Sequence, residues 1–269
     1  MDRSERKRSA WSCFPVLLIL MLFLMAGSSF GAVTGTMQYS FDYTCWRAGF
    51  TASATDTMYL KLELPFSGLL YVDGASRENK YSSWGQTEVT MVKKDGSRRD
   101  RYSSNYVNMN KNLKAAYGVT TGTYYLKIKM TAGRDYLIRA YFPKNNGISA
   151  DYGGSTKSAA YRLPRGKTRN GVVSCRSFNQ QRWFVFDHTS AKAAKVRVTV
   201  NGGQGTLRVY VKGPGIGTVK KEVLAEPYDS NSCSVKFSRK GTYYVLVTKN
   251  ASSGNKRSSG QFSIKWWIP

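Results

Sequence analysis

The chain contains one histidine, His188, which stands next to Asp187 directly after the apolar run WFVF. A histidine beside a carboxylate could belong to a nucleophilic triad, but a triad requires the carboxylate to orient the imidazole ring. Adjacent side chains on a strand point to opposite faces, so Asp187 is not expected to orient His188. The sequence has no nucleophile elbow, zinc-protease motif or Walker-type phosphate loop. We therefore expect a solvent-facing histidine at a strand end rather than a catalytic one.

Paired carboxylates are a second catalytic device, because glycoside hydrolysis uses two of them. The candidates Glu63, Asp73, Glu78 and Glu88 stand at positions typical of surface-facing strand or turn residues. The glycine-rich segment 213–217 (GPGIG) has no helix pattern after it to add a dipole to a phosphate site, so it is typical of a hairpin loop. The sequence predicts a protein that is not an enzyme and that has no cofactor.

Four cysteines are present, and Cys13 lies in the N-terminal segment that we expect to be removed. Of the other three, Cys175 and Cys233 can form a disulfide within one domain of an exported protein, which would leave Cys45 unpaired. Three reduced, buried thiols are the alternative. No CxxC pair occurs and one histidine cannot complete a usual zinc site, so we expect no zinc.

Basic side chains beside aromatic ones are the candidates for a ligand site. With alternate apolar residues of the last strand facing inward, Trp267 faces outward near Lys265, and Tyr210 faces outward beside Arg208. Such pairs suit acidic or neutral glycans, through stacking on a sugar face and charge-assisted hydrogen bonds. Aromatic side chains that only stabilise a sheet are the alternative. A further basic cluster, at a predicted hairpin tip, consists of Lys93, Lys94, Arg98, Arg99 and Arg101.

Strands must position these side chains. Period-two alternation bounded by Gly, Asp, Asn and Ser recurs along the chain, as in LKLEL at 60–64 and VRVTV at 196–200, and no long helical period appears. This pattern is typical of antiparallel sheets with one buried face. The dipeptides Asp95-Gly96 and Asn201-Gly202 predict tight hairpin turns.

An internal repeat indicates duplication. GTYYLKIKM at 122–130 returns as GTYYVLVTK at 241–249, and each copy precedes an aromatic strand, at 135–142 and at 260–267. The repeat predicts one supersecondary plan in two domains, each ending in a glycine-started hairpin that feeds the last strand into the sheet.

The N-terminus predicts export. Basic residues precede an apolar run at 14–25, and small residues follow it, which predicts a signal peptide at 1–31. We expect two tandem antiparallel β-sandwich domains of jelly-roll or immunoglobulin-like type, at 32–143 and at 155–269. Turn-forming residues at 144–154 predict a linker between them.

The chain is strongly basic, with a formal net charge of +25. The excess is concentrated in residues 144–269, which hold 22 Lys and Arg against five Asp and Glu. Such an excess raises the affinity for polyanions such as wall polymers, acidic glycans or lipid headgroups. A basic solvated surface is the alternative. Nucleic acid is disfavoured as the partner because the chain is predicted to be exported and has no recognisable reading motif.

Taken together, these patterns resemble the bacterial pre-peptidase C-terminal (PPC) β-sandwich domain, which occurs in secreted proteins, often in tandem. The resemblance is carried by the hairpin at 87–97, both GTYY strands, and segments 58–72, 157–173 and 182–200. It implies an accessory module for adhesion, targeting or stabilisation. Some relatives bind calcium through acidic residues near the lead-in strand, but segment 157–173 has none here, so we expect no metal.

The functional prediction is a secreted or cell-surface module without catalysis. It engages anionic or neutral polysaccharide at a cell surface or in the extracellular matrix through basic and aromatic sheet surfaces. The alternatives are a structural or protein-interaction component of an extracellular assembly, and an unfamiliar hydrolase.

Overall fold

The structure is a computed structural model that describes residues 34–37, 44–64, 66–92, 101–109, 114–142, 147–148, 151–176, 180–250 and 258–269. Within these ranges every regular element is a β-strand, which confirms the all-β prediction. No helix that could cross a membrane occurs in them. The predicted signal peptide at 1–31 lies outside the described residues.

The first sandwich packs a six-stranded sheet against a four-stranded one. Its strands are β1 (Thr34–Met37), β2 (Thr44–Thr51), β3 (Thr57–Leu64), β4 (Ser67–Arg77), β5 (Thr87–Val92), β6 (Arg101–Val107), β7 (Ala115–Val119), β8 (Gly122–Lys129), β9 (Asp135–Phe142) and β10 (Gly147–Ile148). One sheet has the order β1-β2-β9-β4-β10, with β7 also paired to β4, and the other has the order β3-β8-β5-β6. Inward side chains such as Val72, Leu126 and Ile138 form its core.

The second sandwich packs a five-stranded sheet against a four-stranded one. Its strands are β11 (Tyr161–Arg162), β12 (Arg169–Val173), β13 (Gln181–His188), β14 (Ala194–Gln204), β15 (Thr206–Gly213), β16 (Gly217–Leu224), β17 (Asn231–Phe237), β18 (Gly241–Lys249) and β19 (Ser259–Trp267). The sheets have the orders β11-β13-β18-β15-β16 and β12-β19-β14-β17. Its core includes Phe186, Val198 and Phe262.

The two sandwiches share one topology. The order β2-β9-β4-β7 in the first corresponds to β12-β19-β14-β17 in the second, and β3-β8-β5-β6 corresponds to β13-β18-β15-β16. Each of these eight strands therefore has a counterpart ten strands later. This agreement supports the duplication that the GTYY repeat indicates.

Two of the turn predictions are wrong. The GTYY strand and the closing strand of each copy lie in opposite sheets, so β8–β9 and β18–β19 are crossovers rather than hairpins. Asn201-Gly202 lies inside β14 at an irregularity of its register with β19, and the chain turns at Gly205, where φ is 72°. Alternation looks the same in a hairpin and in a crossover, which is why local pattern could not separate them. The strands that flank Asp95-Gly96, β5 and β6, do pair as predicted, although that turn lies outside the described residues.

The repeated GTYY segment is explained by a shared tyrosine contact. The Tyr124 hydroxyl donates to the Thr120 carbonyl oxygen at 3.1 Å, and the Tyr243 hydroxyl donates to the Arg239 carbonyl oxygen at 2.7 Å. Both rings are fully buried. This contact, from a tyrosine to a carbonyl four residues earlier, resembles the tyrosine corner of other sandwiches, and it joins the strand to its preceding turn.

The sandwiches contact each other directly. Strands β4 and β7 are buried on both faces, since one face lines the first core and the other packs against β12, β14 and β19. The Gly118 amide donates to Ser259 Oγ at 3.1 Å, and the Gly118 carbonyl oxygen accepts from the Cys175 amide at 2.7 Å. A Cβ at Gly118 would lie 2.5 Å from the Gly260 nitrogen, so this close approach requires glycine.

Part of the predicted linker already contacts the second sandwich. Asp151 forms an ion pair with Arg182 and accepts from the Val172 amide at 2.9 Å. The Gly154 amide donates to the Trp183 carbonyl oxygen at 2.9 Å. These bonds begin four residues before the predicted boundary at Ser155.

A buried lysine stands near the junction of the two sandwiches. Lys249 is 3% exposed, and its ammonium donates to the Cys175 carbonyl oxygen at 3.2 Å. Burial disfavours the charged form and lowers the pKa of Lys249 from 10.5 to about 8. Below that pH the folded protein must hold a charge away from water.

Lys249→Met should show this penalty as a function of pH. The folded pKa is depressed, so the wild-type protein gains stability as pH rises from about 8 to 10.5, by roughly 3 kcal/mol. The variant lacks this group, so it should be more stable than the wild type at pH 7. This difference in unfolding free energy should shrink as the pH rises from about 8 to 10.5. Urea unfolding of both proteins at each pH measures the difference, from which their common thiols and tyrosines cancel. A pH-independent difference would contradict the assignment.

Candidate functional site

The one histidine is a core residue. His188 is 1% exposed and packs edge-on against Phe237, Tyr243 and Trp266, so the prediction of a solvent-facing histidine is wrong. Neither ring nitrogen has a hydrogen-bond partner among the described residues. Pairing with Gly241 places His188 where Leu64 pairs with Gly122 in the first sandwich. The position is therefore an interior position of the fold.

Asp187 faces the other way, as the alternation predicts. Its carboxylate accepts from Arg162 at 2.6 Å and from Thr242 at 2.8 Å, and both bonds lower its pKa. Because these bonds hold Asp187 on the outer face, it cannot orient His188. The two residues do not form a catalytic pair.

The four candidate carboxylates are each paired with a basic side chain: Glu63 with Lys61, Asp73 with Arg139, Glu78 with Arg134 and Glu88 with Lys129. Asp73 was predicted to face the surface but is fully buried, because the second sandwich covers its strand. Segment 213–217 closes the hairpin of β15 and β16, as predicted. In the described residues no three His, Cys, Asp or Glu side chains are grouped to hold a metal ion.

The Cys175–Cys233 disulfide is not formed, and both residues are free thiols. Cys175 belongs to the first core, with its thiol 3.5 Å from the Met91 sulfur, whereas Cys233 lies on β17 of the second sandwich. Burial raises the pKa of Cys175 to about 12 and that of Cys233 to about 11. Both therefore stay protonated and unreactive at neutral pH.

The structure separates the predicted binding residues. Arg208 and Tyr210 lie on the outer face of the five-stranded sheet, whereas Lys265 and Trp267 lie on the outer face of the four-stranded sheet, on the opposite side of the second sandwich. Arg208 is paired with Glu222 at 3.1 Å. Arg101 begins β6 of the first sandwich. The remaining hairpin cations lie outside the described residues: Lys93, Lys94, Arg98 and Arg99.

The outer face around Trp267 forms a cluster that we call the basic face, made of Lys195, Arg197, Lys236, Lys265 and Trp267. Lys195 stands directly opposite Lys236, and Arg197 stands directly opposite Lys265. The Trp267 ring centroid lies 5.7, 5.7 and 5.8 Å from the charged groups of Lys195, Arg197 and Lys265. Sequence alternation predicted two members of this face, but only the strand register reveals the others.

In the part of the chain that the structure describes, no carboxylate forms an ion pair with the basic face. The ion pairs of the described residues include none to its four cations. Arg197 Nε donates to Ser234 Oγ in a long hydrogen bond of 3.5 Å. Like charges directly opposite each other destabilise a sheet, so this face lowers the stability of the free protein.

The first sandwich carries an opposite-charge pair at the same place. Leu64 and His188 occupy matching places, and Asp73 and Arg197 each stand nine residues after them, which matches Asp73 with Arg197. Opposite Arg139 stands Asp73 on β4, whose counterpart on β14 is Arg197. Asp73 accepts two hydrogen bonds from Arg139, at 3.0 and 2.6 Å. The second copy thus replaces a neutralised pair by two exposed cations.

Comparisons with known proteins identify no family. No family model and no curated protein matches the chain. Among solved structures it is similar to a cupin 2 conserved barrel domain protein from Leptotrichia buccalis, with a TM-score of 0.24 and 11% identity over 90% of this chain and 92% of that one. It is similar to the CUB1-EGF-CUB2 domain of human MASP-1/3, with a TM-score of 0.23 and 8% identity over 87% and 99%.

A third similar structure is BpGH86A, a β-porphyranase of glycoside hydrolase family 86 from the human gut bacterium Bacteroides plebeius, with a TM-score of 0.20 and 10% identity over 90% of this chain and 38% of that one. TM-scores of this size support no functional conclusion. None of the three identifies a PPC domain, so that resemblance stays a prediction.

His188→Leu should stabilise the second sandwich by about 1–3 kcal/mol, because it removes two buried nitrogens that no described residue hydrogen-bonds and installs the residue found at the matching place, Leu64. The reverse change, Leu64→His, is the matched control and should destabilise the first sandwich. Chemical denaturation of both variants measures the change in unfolding free energy. A His188→Leu protein less stable than wild type would show that the imidazole contributes an interaction of its own.

Proposed function

We propose that this chain is an exported, non-catalytic binding module that holds an anionic polysaccharide on its basic face, at a cell surface or in the extracellular matrix. Its role would be that of an accessory domain like the PPC domains that its sequence resembles. The observation that carries the proposal is the directly opposed Arg197 and Lys265, at the place where the first sandwich has Asp73 and Arg139.

The electrostatic argument rests on the comparison of Arg197 with its counterpart Asp73. The first sandwich demonstrates that this backbone accepts a carboxylate at the Asp73 position, so the fold itself does not require a cation at Arg197. A bound anion would supply the negative charge that Asp73 supplies in the first sandwich, and it would offset the repulsion between Arg197 and Lys265. Each charge-assisted hydrogen bond made in this way contributes about 1.5–3 kcal/mol.

The aromatic ring favours a sugar polymer over a simple ion. Trp267 is half-buried among three cations, which hold its ring in place. An indole ring offers a flat surface to the apolar face of a sugar, while the surrounding ammonium and guanidinium groups reach carboxylate or sulfate substituents. A face that combines the two suits a polymer of charged sugar units.

Arg197→Asp should weaken this binding while keeping the fold. The variant recreates the opposite-charge pair of the first sandwich, so its thermal stability should equal or exceed that of the wild type. Its affinity for heparin or polygalacturonate should fall roughly 10- to 100-fold, the equivalent of one lost charge-assisted contact. Calorimetric titration and elution from a heparin column measure the loss.

Arg134→Asp is the matched control, because it makes the same change in net charge on the first sandwich, where Arg134 pairs with Glu78. It should reduce affinity only slightly. Wild-type retention should also collapse between low and moderate salt, since exposed charges are screened. Equal losses in the two variants would indicate a diffuse charge effect and would rule out the basic face as the site. Salt-insensitive capture of one defined protein would favour the protein-interaction alternative instead.

A further inference from the structure

The opposite side of the second sandwich carries an apolar depression. It has a volume of about 240 Å³ and lies on the outer face of β13, β18, β15 and β16. We call it the aromatic depression, and its main lining residues are Trp183, Tyr210, Tyr244, Leu246, Lys157 and Lys212. Of these, only Tyr210 was singled out by the sequence.

Two rings of the depression, those of Trp183 and Tyr244, are held in position before any ligand arrives. Trp183 Nε1 donates to Gln181 Oε1 at 2.8 Å, which orients the indole. The Lys157 ammonium lies 4.4 Å from the Tyr244 ring centroid. Leu246 is 9% exposed and forms part of the floor. A platform that is already ordered loses little conformational entropy on binding.

The first sandwich has different residues at two of the positions that line this depression. Five residues after the repeated glycine, Leu246 of the second copy corresponds to Lys127 of the first. Opposite them on the neighbouring strand stand Tyr210 and Thr90, respectively. In the first copy the Lys127 ammonium lies 5.9 Å from the ring of Tyr59, which stands opposite Lys127 as Trp183 stands opposite Leu246.

Charge indicates what the depression would bind. Among the described residues no Asp or Glu lines it, whereas Lys157 and Lys212 do. An apolar, aromatic floor with cations beside it complements a sugar ring that stacks through its apolar face and directs an anionic substituent to the lysines. An uncharged apolar ligand would leave both lysines without a counter-charge.

We propose that the aromatic depression is a second site for a charged sugar unit, and that the module is bivalent. The inference rests on the proposed function, because it takes the same polymer class for both faces. The depression and the basic face lie on the outer faces of two stacked sheets, so one straight stretch of polymer cannot contact both. Two polymer chains are held instead, and the module cross-links them.

The test counts sites with a short probe, hexagalacturonate, and measures cross-linking by light scattering with polygalacturonate. The wild-type chain without residues 1–31 should bind two hexamers and should raise the scattering of the polymer. Tyr210→Thr/Leu246→Lys installs the residues of the first sandwich, so it should fold normally, bind one hexamer and lose cross-linking. Lys157→Glu, an exposed change outside the core, should weaken the same site about tenfold. Arg197→Asp should remove the other site and also lose cross-linking.

The outcomes separate the two proposals. A single wild-type site that Arg197→Asp removes and Tyr210→Thr/Leu246→Lys leaves intact would overturn bivalency but keep the proposed function. A single site with the reverse sensitivity would overturn the basic face and, with it, cross-linking. No binding of either hexagalacturonate or heparin would overturn both.

Discussion

Burial of the outer face around β4 and β7 against the second sandwich is the contact on which the rest of the molecule depends. Both faces of these strands lose contact with water, so each group on them must be apolar or paired. Gly118 leaves room for the backbone of the other sandwich, and Asp73 is matched by Arg139. At the rim, the Tyr71 hydroxyl donates to the Pro227 carbonyl oxygen at 2.6 Å. The two domains therefore pack directly against each other and are not joined by the linker alone.

On the second sandwich, the end of the matching face that carries Arg197 and Lys265 is exposed to solvent. Charged groups there do not have to be paired. A buried like-charge pair would be strongly destabilising, whereas an exposed one costs little because water screens it. Arg197 and Lys265 can thus stand where Asp73 and Arg139 must be paired. Because Asp73 is buried and Arg197 is exposed, the same strand position is structural in the first sandwich and a ligand-binding candidate in the second.

Duplication also separates what the fold needs from what it permits. Gly122 and Gly241, with φ of 136° and 137°, begin strands that carry the same tyrosine contact in both copies. Those positions are determined by backbone geometry and core packing. By contrast, Lys127 and Leu246 occupy equivalent positions on the outer sheet faces with different chemistry, and such differences mark surfaces that are free to acquire a function.

Strand alternation allowed the sequence to predict an all-β chain, the opposed directions of Asp187 and His188, and the outward direction of Trp267. It failed for the absolute direction of His188 and for the exposure of Asp73. A period of two divides a strand into two faces, but it does not say which face is covered. Residues on both faces of β4 are buried, and the outer face is buried because the second sandwich packs against it.

Composition and local pattern by themselves determined that this protein is a duplicated β-structure with a large positive charge, since both follow from residue types and short spacings. The tertiary structure alone decided which strands pair, which sheet faces are hidden, and that Tyr210 and Trp267 lie on opposite sides of one sandwich. The reason is that alternation is a local property, whereas strand pairing and domain packing depend on contacts between residues far apart in the chain. Many topologies satisfy the same alternation, and only their long-range packing energies distinguish them.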